Sequence, residues 1–190
     1  DEEDNMYLSG FIMNPPYESL LVTPQFPAHI YWDSSHYATI YDYSLHELMP
    51  YILKINSDGE VLWSNQIYSN GSPNPSHSNF AGGEFGGCHY FDGRLYLAGS
   101  GGYRTQGSVY FDDPSHPLSR MVENQLNIGF FVSYDAMTGH YVSHGIVPAN
   151  NAMTTGRPAA INNRVFAYSN TGKAIYQWRE DGLFIHADSI

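Results

Sequence analysis

The sequence predicts an all-β chain built from repeated four-stranded antiparallel units. Three observations predict it. A run–turn–run pattern with a turn built on Asp and Gly recurs three times, a second set of apolar runs each follows an Asp or Asn turn, and helical periodicity is nearly absent.

The first pattern comprises Ile52–Trp63 (ILKINSDGEVLW), Phe130–Ser143 (FFVSYDAMTGHYVS) and Ile175–His186 (IYQWREDGLFIH). Their turns are Asp58-Gly59, Asp135 to Gly139, and Asp181-Gly182. Asp-Gly between apolar runs is the strongest short-range hairpin signal: glycine supplies a positive φ, and aspartate bonds the local backbone. The second set is Asn5–Phe11 (NMYLSGF), Gly93–Gly99 (GRLYLAG) and Asn163–Ser169 (NRVFAYS). Ahead of two of these lie further strand-like runs, Gly87–Phe91 and Pro158–Ile161.

The unit is therefore a meander of strands A to D. The first unit has B at 6–11, C at 51–56 and D at 60–67, without an A strand. The second has A at 87–91, B at 94–99, C at 129–134 and D at 140–147. The third has A at 158–161, B at 164–169, C at 174–179 and D at 182–188. Only Tyr43–Met49 and Leu118–Leu126 have room for a few helical turns, both between strands B and C. Repeated four-stranded meanders are the blade pattern of a β-propeller. The expected organisation is one partial propeller domain over residues 1–190. Its blades span about 1–68, 85–147 and 157–190, the first being incomplete.

Two hairpins carry a resemblance to bacterial propeller repeats. Lys54, Asn56, Gly59 and Trp63 resemble the secreted SBBP-type repeat, and Asp135, Ala136, Thr138 and Gly139 resemble the D-A-x-T-G turn of quinoprotein-like (PQQ-type) repeats. The resemblance covers about a fifth of the chain. It implies blade architecture and, through the SBBP-type repeat, an extracellular, cell-surface or periplasmic location; activity it hardly specifies. Closed propellers have at least about four blades. An arc of three means that the rest of the ring is missing from this chain, or that another subunit supplies it, or that the architecture is a different β sandwich. The first is favoured, with remaining blades from a parent propeller, and a start at Asp1-Glu2-Glu3-Asp4 reads as a processed product or a piece of a longer chain.

Composition bounds the partners. Apolar residues are 42% and charged residues 14%, which excludes a coiled coil, while 16 Tyr, 10 Phe and 3 Trp argue against disorder. No run of about 18 apolar residues occurs, so no membrane insertion by a helix is expected. With 8 Lys plus Arg against 19 Asp plus Glu, net −11, the surface repels phosphates, and no nucleic-acid binding is expected. The single cysteine, Cys88, permits no intrachain disulfide or cysteine zinc site.

The surplus sequence sits in the B–C insertions, Ile12–Pro50 and Ser100–Ile128, and in the D–A links, Tyr68–Gly86 and Pro148–Arg157. In a meander these all leave from one end of the blade. Long loops on a rigid scaffold commonly carry function. The insertions are rich in aromatics beside Asp, His and Arg, a mixture that stacks on sugar rings or anchors a protein. The expected ligand-binding residues are Tyr31, Trp32, Tyr37, Tyr103 and Arg104.

Catalytic signals are weak. His29, His36 and His46 with Asp33, Asp42 and Glu47 lack diagnostic ligand spacing, so no metal is expected. No nucleophile elbow or phosphate loop occurs, no cofactor is indicated, and Cys88 reads as a buried structural thiol. The leading expectation is a non-catalytic propeller segment binding a glycan or protein ligand. The alternatives are a carbohydrate-active propeller enzyme using loop carboxylates and a quinoprotein-like enzyme.

Overall fold

The computed structural model describes residues 1, 3–13, 28–40, 48–66, 68–70, 87–101, 107–111, 117–120, 128–148, 155–169 and 173–190. These residues form an all-β structure of antiparallel sheets, with no helix among them.

Three main sheets follow one another along the chain. The first joins β1 (Met6–Met13), β4 (Leu48–Ile55) and β5 (Val61–Gln66) in that order. The second joins β7 (Cys88–Phe91), β8 (Arg94–Gly101), β11 (Ile128–Asp135) and β12 (Tyr141–Ile146). The third joins β13 (Thr155–Ile161), β14 (Arg164–Ser169), β15 (Ala174–Arg179) and β16 (Phe184–Ser189). All eleven strands lie within a few residues of the expected A to D runs. Two smaller sheets come from the connections. One is a hairpin of β2 (Ala28–Tyr31) and β3 (Tyr37–Ile40); the other orders β6 (Tyr68–Asn70), β9 (Gly107–Tyr110) and β10 (Pro117–Arg120) as β10-β9-β6.

Two expectations need correction. Leu48 and Met49 belong to β4, and Leu118 to Arg120 belong to β10, so neither proposed helical stretch is helical where it is described. Cross-strand pairing outweighs the local pattern: Leu48 to Met13 and Leu118 to Val109 satisfy the backbone between strands. The rest of both stretches lies outside the described residues.

The turns explain why the strands reverse where they do. Asp92-Gly93 and Asn162-Asn163 are two-residue loops between the pairs Phe91–Arg94 and Ile161–Arg164. All four residues have φ between 49° and 71°. Positive φ at both centres is the signature of the type I′ turn, whose twist matches the strands it joins. The C–D turns share a second design. Asn56, Asp135 and Arg179 each donate their N–H to the carbonyl of Glu60, His140 and Leu183, closing a loop around Gly59, Gly139 and Gly182. These glycines have φ of 87°, 74° and 93°.

Each C–D hairpin also carries a bulge at the same place. The register slips between Lys54 and Ile55, between Ser133 and Tyr134, and between Gln177 and Trp178. Leu62, Val142 and Ile185 are the extra residues. Bulges bend a strand and increase its twist, so three equivalent ones give three similarly curved sheets. Pairing fixes the correspondence between units. Ile55, Tyr134 and Trp178 pair with Met6, Leu95 and Val165. Tyr7 thus corresponds to Tyr96 and Phe166, one residue away from the alignment that sets Asn5 beside Gly93. Met6, Tyr7 and Leu8 are apolar or aromatic in succession, so alternation alone does not reveal their faces.

The sheets stack face to face through two cores. Ile52 and Trp63 of the first sheet pack with Leu95, Leu97, Phe130, Val132 and Tyr134 of the second. From its other side, Tyr96, Ala98 and Phe131 pack with Val165, Ala167, Tyr176 and Trp178 of the third. The second sheet is therefore apolar on both faces.

Candidate functional site

The β2–β3 hairpin lies between β1 and β4 in the chain, and β3 contacts β5 of the first sheet. Tyr31 pairs with Tyr37 and His29 with Thr39, which puts His29, Tyr31 and Tyr37 on one face. Their rings form a continuous surface. Centroids lie 4.7 Å apart for His29 and Tyr37, 5.4 Å for Tyr31 and Tyr37, and 5.9 Å for His29 and Tyr31. Tyr31 and Tyr37 are both exposed.

Asp33 shapes the connecting turn. Its Oδ1 accepts the N–H groups of Ser35 and His36 at 2.7 and 2.8 Å, and its Oδ2 lies 2.8 Å from His36 Nδ1. The Ser35 N–H, followed by the His36 ring, holds the Asp33 carboxyl below its ordinary range. The Trp32 N–H donates to the His36 carbonyl at 2.9 Å. The Trp32 ring is half-buried and lies 5.2 Å from that of Tyr51 on β4. Trp32 thus ties the hairpin to the sheet, while Tyr31 and Tyr37 face outward.

Of the five expected ligand-binding residues, Tyr31, Trp32 and Tyr37 therefore share one hairpin. Tyr103 and Arg104 lie outside the described residues. So do His46, Asp42 and Glu47; among the described residues no cluster of His, Cys, Asp and Glu has metal-site geometry. Cys88 is half-buried, its Sγ 3.5 Å from the Tyr7 carbonyl, and burial pushes its thiol pKa up. A thiol held protonated is a poor nucleophile.

Sequence reasoning missed two clefts beside the C–D turns, one at each junction between sheets. One, of about 360 Å³, lies among Tyr7, Lys54, Tyr90, Asp135 and Thr138. The other, of about 380 Å³, lies among Arg94, Ser143, Arg179, Glu180 and Asp181. Several of their polar groups join the sheets. Tyr96 Oη donates to Glu180 Oε1 at 2.9 Å, and Arg94 Nη1 lies 3.3 Å from Glu180 Oε2. Ser143 Oγ donates to the Glu180 carbonyl at 2.5 Å. Burial, then the Glu180 carboxylate, pushes the Tyr96 hydroxyl up to about 12. At the other junction the Tyr7 hydroxyl reaches the Ala136 carbonyl at 3.3 Å, and Asn65 Nδ2 donates to the Gly139 carbonyl. No local sequence signal marks these junctions, because they join residues as far apart in the chain as Tyr96 and Glu180.

No family model and no curated protein matches the chain.

Proposed function

We propose that the three main sheets are blades of a β-propeller, secreted or displayed at a cell surface, and that the chain binds a glycan or protein ligand through its aromatic connections. The observation that carries the binding reading is the exposed pair Tyr31 and Tyr37 beside His29, on a hairpin anchored by Trp32. Apolar rings left in water on a fixed support offer area at little cost in side-chain entropy. Their tips, with Asp33 and His36 close by in the same hairpin, supply donors and acceptors for hydroxyls. A net charge of −11 disfavours polyanions and favours a neutral glycan or a basic protein surface.

What supports the blade reading is the recurrence of one meander, one turn design and one bulge position in successive sheets. A glycan array and a partner pull-down test the ligand reading. The wild-type chain is expected to retain a neutral glycan or a basic protein, and Tyr31→Ala with Tyr37→Ala to lose it. Both side chains are exposed, so the fold should survive their removal. Binding undiminished in that double variant defeats the reading.

A further inference from the structure

We propose that the two outer faces of the sheet stack are the two halves of one interface, so that copies of this chain associate head to tail, the third sheet of one against the first sheet of another. The proposal rests on the blade reading above; the ligand hairpin borders the same face, because Trp32 lies against Tyr51 of β4 there.

The first half is the face of β1 and β4 turned away from the second sheet. Met6 and Leu8 are 54% and 47% exposed. The residues at the same register positions of the other sheets are Leu95 and Leu97, at 0% and 1%, and Val165 and Ala167, at 0% and 2%. In those sheets the position is covered by the preceding sheet. In the first sheet Met6 and Leu8 themselves are open to solvent, although they are as apolar as their counterparts, while Leu53, paired with Leu8 on the same face, is already buried at 4%.

The second half is the far face of the third sheet. Phe166, Gln177 and His186 hold the positions that Tyr7, Lys54 and Trp63 hold in the first sheet, and Tyr96, Ser133 and Ser143 in the second. Those earlier residues face the next sheet. Trp63 Nε1, Tyr96 Oη and Ser143 Oγ each donate to its C–D turn. Gln177 is buried, yet its Nε2 has no hydrogen-bond partner among the described residues. A buried amide without a partner costs free energy, and a turn carbonyl from a following sheet is the group that its counterparts' neighbours receive.

Charge selects the occupant. Arg164 corresponds to Arg94, which pairs with Glu180 in the turn of the next sheet. Arg164 is exposed and sits opposite Arg179. The turn of the first sheet carries exposed Asp58 and Glu60, the acidic complement to that arginine. A second copy therefore presents both an apolar face for Phe166, Tyr168 and Ile175 and an acidic turn for Arg164. Head-to-tail contacts close into a ring or continue as a filament. Two copies, each with the three main sheets formed by the described residues, make a ring of six, within the range of closed propellers.

Light scattering coupled to size exclusion tests this over rising concentration. Wild type is expected at the mass of two copies. Leu8→Glu alone and Phe166→Glu alone are each expected at the mass of one. Their mixture is expected to regain the two-copy mass, because a mixed pair keeps one contact with neither substitution. Far-UV circular dichroism checks the fold; if Phe166→Glu unfolds, Arg164→Glu on an exposed side chain replaces it. Either single variant holding the two-copy mass overturns the proposal, as does a mixture of folded variants that stays single. A wild type that stays single at the highest concentration reached, with its β spectrum intact, overturns the interface while leaving the blade reading standing.

Discussion

The indole Nε1 of Trp63 donates to the carbonyl of Ala136, 3.2 Å away in the turn of the neighbouring sheet. The same ring lies against Gly139: a Cβ there would come within 2.7 Å of Trp63 Cδ2. One side chain thus fills a core and satisfies a turn. Trp63→Ala should cost about 3–5 kcal/mol through the lost burial and the cavity left behind. Trp63→Phe keeps much of the packing and removes the indole donor from an Ala136 carbonyl that the Tyr7 hydroxyl also reaches, so it should cost less. Urea denaturation at unchanged m-value measures both; a Trp63→Phe variant as stable as wild type would mean that the hydrogen bond is immaterial.

Gly59 and Gly182 separate conformational strain from steric clash. Both have positive φ, but nothing lies within 4 Å of a Cβ built on Gly59, whereas one on Gly182 meets the backbone carbonyl of His144. Gly59→Ala should cost about 1–2 kcal/mol from the left-handed backbone alone. Gly182→Ala should cost more, because two backbones must part. Asn tolerates this conformation, so Gly59→Asn should recover part of the loss and Gly182→Asn should not. Thermal unfolding of the four variants supplies the ranking.

Tyr96 predicts an alkaline limit. Its hydroxyl is raised from an ordinary 10.0 to about 12 by burial and then by Glu180. The neutral form is the one the fold prefers. Its contribution is therefore complete below pH 10.0 and is lost as pH rises toward about 12. Tyr96→Phe should flatten the fall in stability across that window. A variant curve parallel to wild type would show that the Tyr96–Glu180 contact is not what titrates.

Asp135 predicts the opposite limb. Its Oδ1 accepts from the Thr138 N–H at 2.8 Å, the Thr138 Oγ1 at 2.8 Å and the Met137 N–H at 3.1 Å. The Thr138 backbone donor, followed by the Thr138 hydroxyl, holds the carboxyl below its ordinary 3.8. The stabilisation is present above 3.8 and disappears as pH falls through the lowered folded value. Asp135→Asn should weaken the protein near neutrality and reduce its acid sensitivity, as read from denaturation midpoints at a series of pH values.

The strands of the main sheets were legible because Asp-Gly and Asn-Asn punctuation fixes reversals locally. Gly59, Gly139 and Gly182 each mark a turn that needs positive φ, whatever surrounds it. Strands β6 and β9 were not legible. Tyr68–Asn70 and Gly107–Tyr110 are short, and each pairs with a partner far away in sequence. The bulges at Leu62, Val142 and Ile185 were hidden too, because an unpaired aliphatic residue reads as one more step of a strand. In the hairpin, the aromatic density of the insertion pointed to Tyr31, Trp32 and Tyr37, but alternation did not separate the anchor Trp32 from the exposed pair. The inter-sheet clefts depend on Glu180 meeting Tyr96 across 84 residues, a relation with no local trace.

The middle position of the second sheet governs how the molecule opens. Its two faces serve two cores, so loss of this sheet uncovers both neighbours, whereas loss of either outer sheet uncovers one side of it. A stack of this kind behaves as a short linear array in which each unit is held by nearest-neighbour coupling. In a single copy, amide protons of β8 and β11 should exchange most slowly, through global unfolding alone, while those of β1 and β16 escape through partial openings that peel the array from its ends. Protection against deuterium would then decline outward from the second sheet, tracing cooperativity along the array more than the length of any one strand.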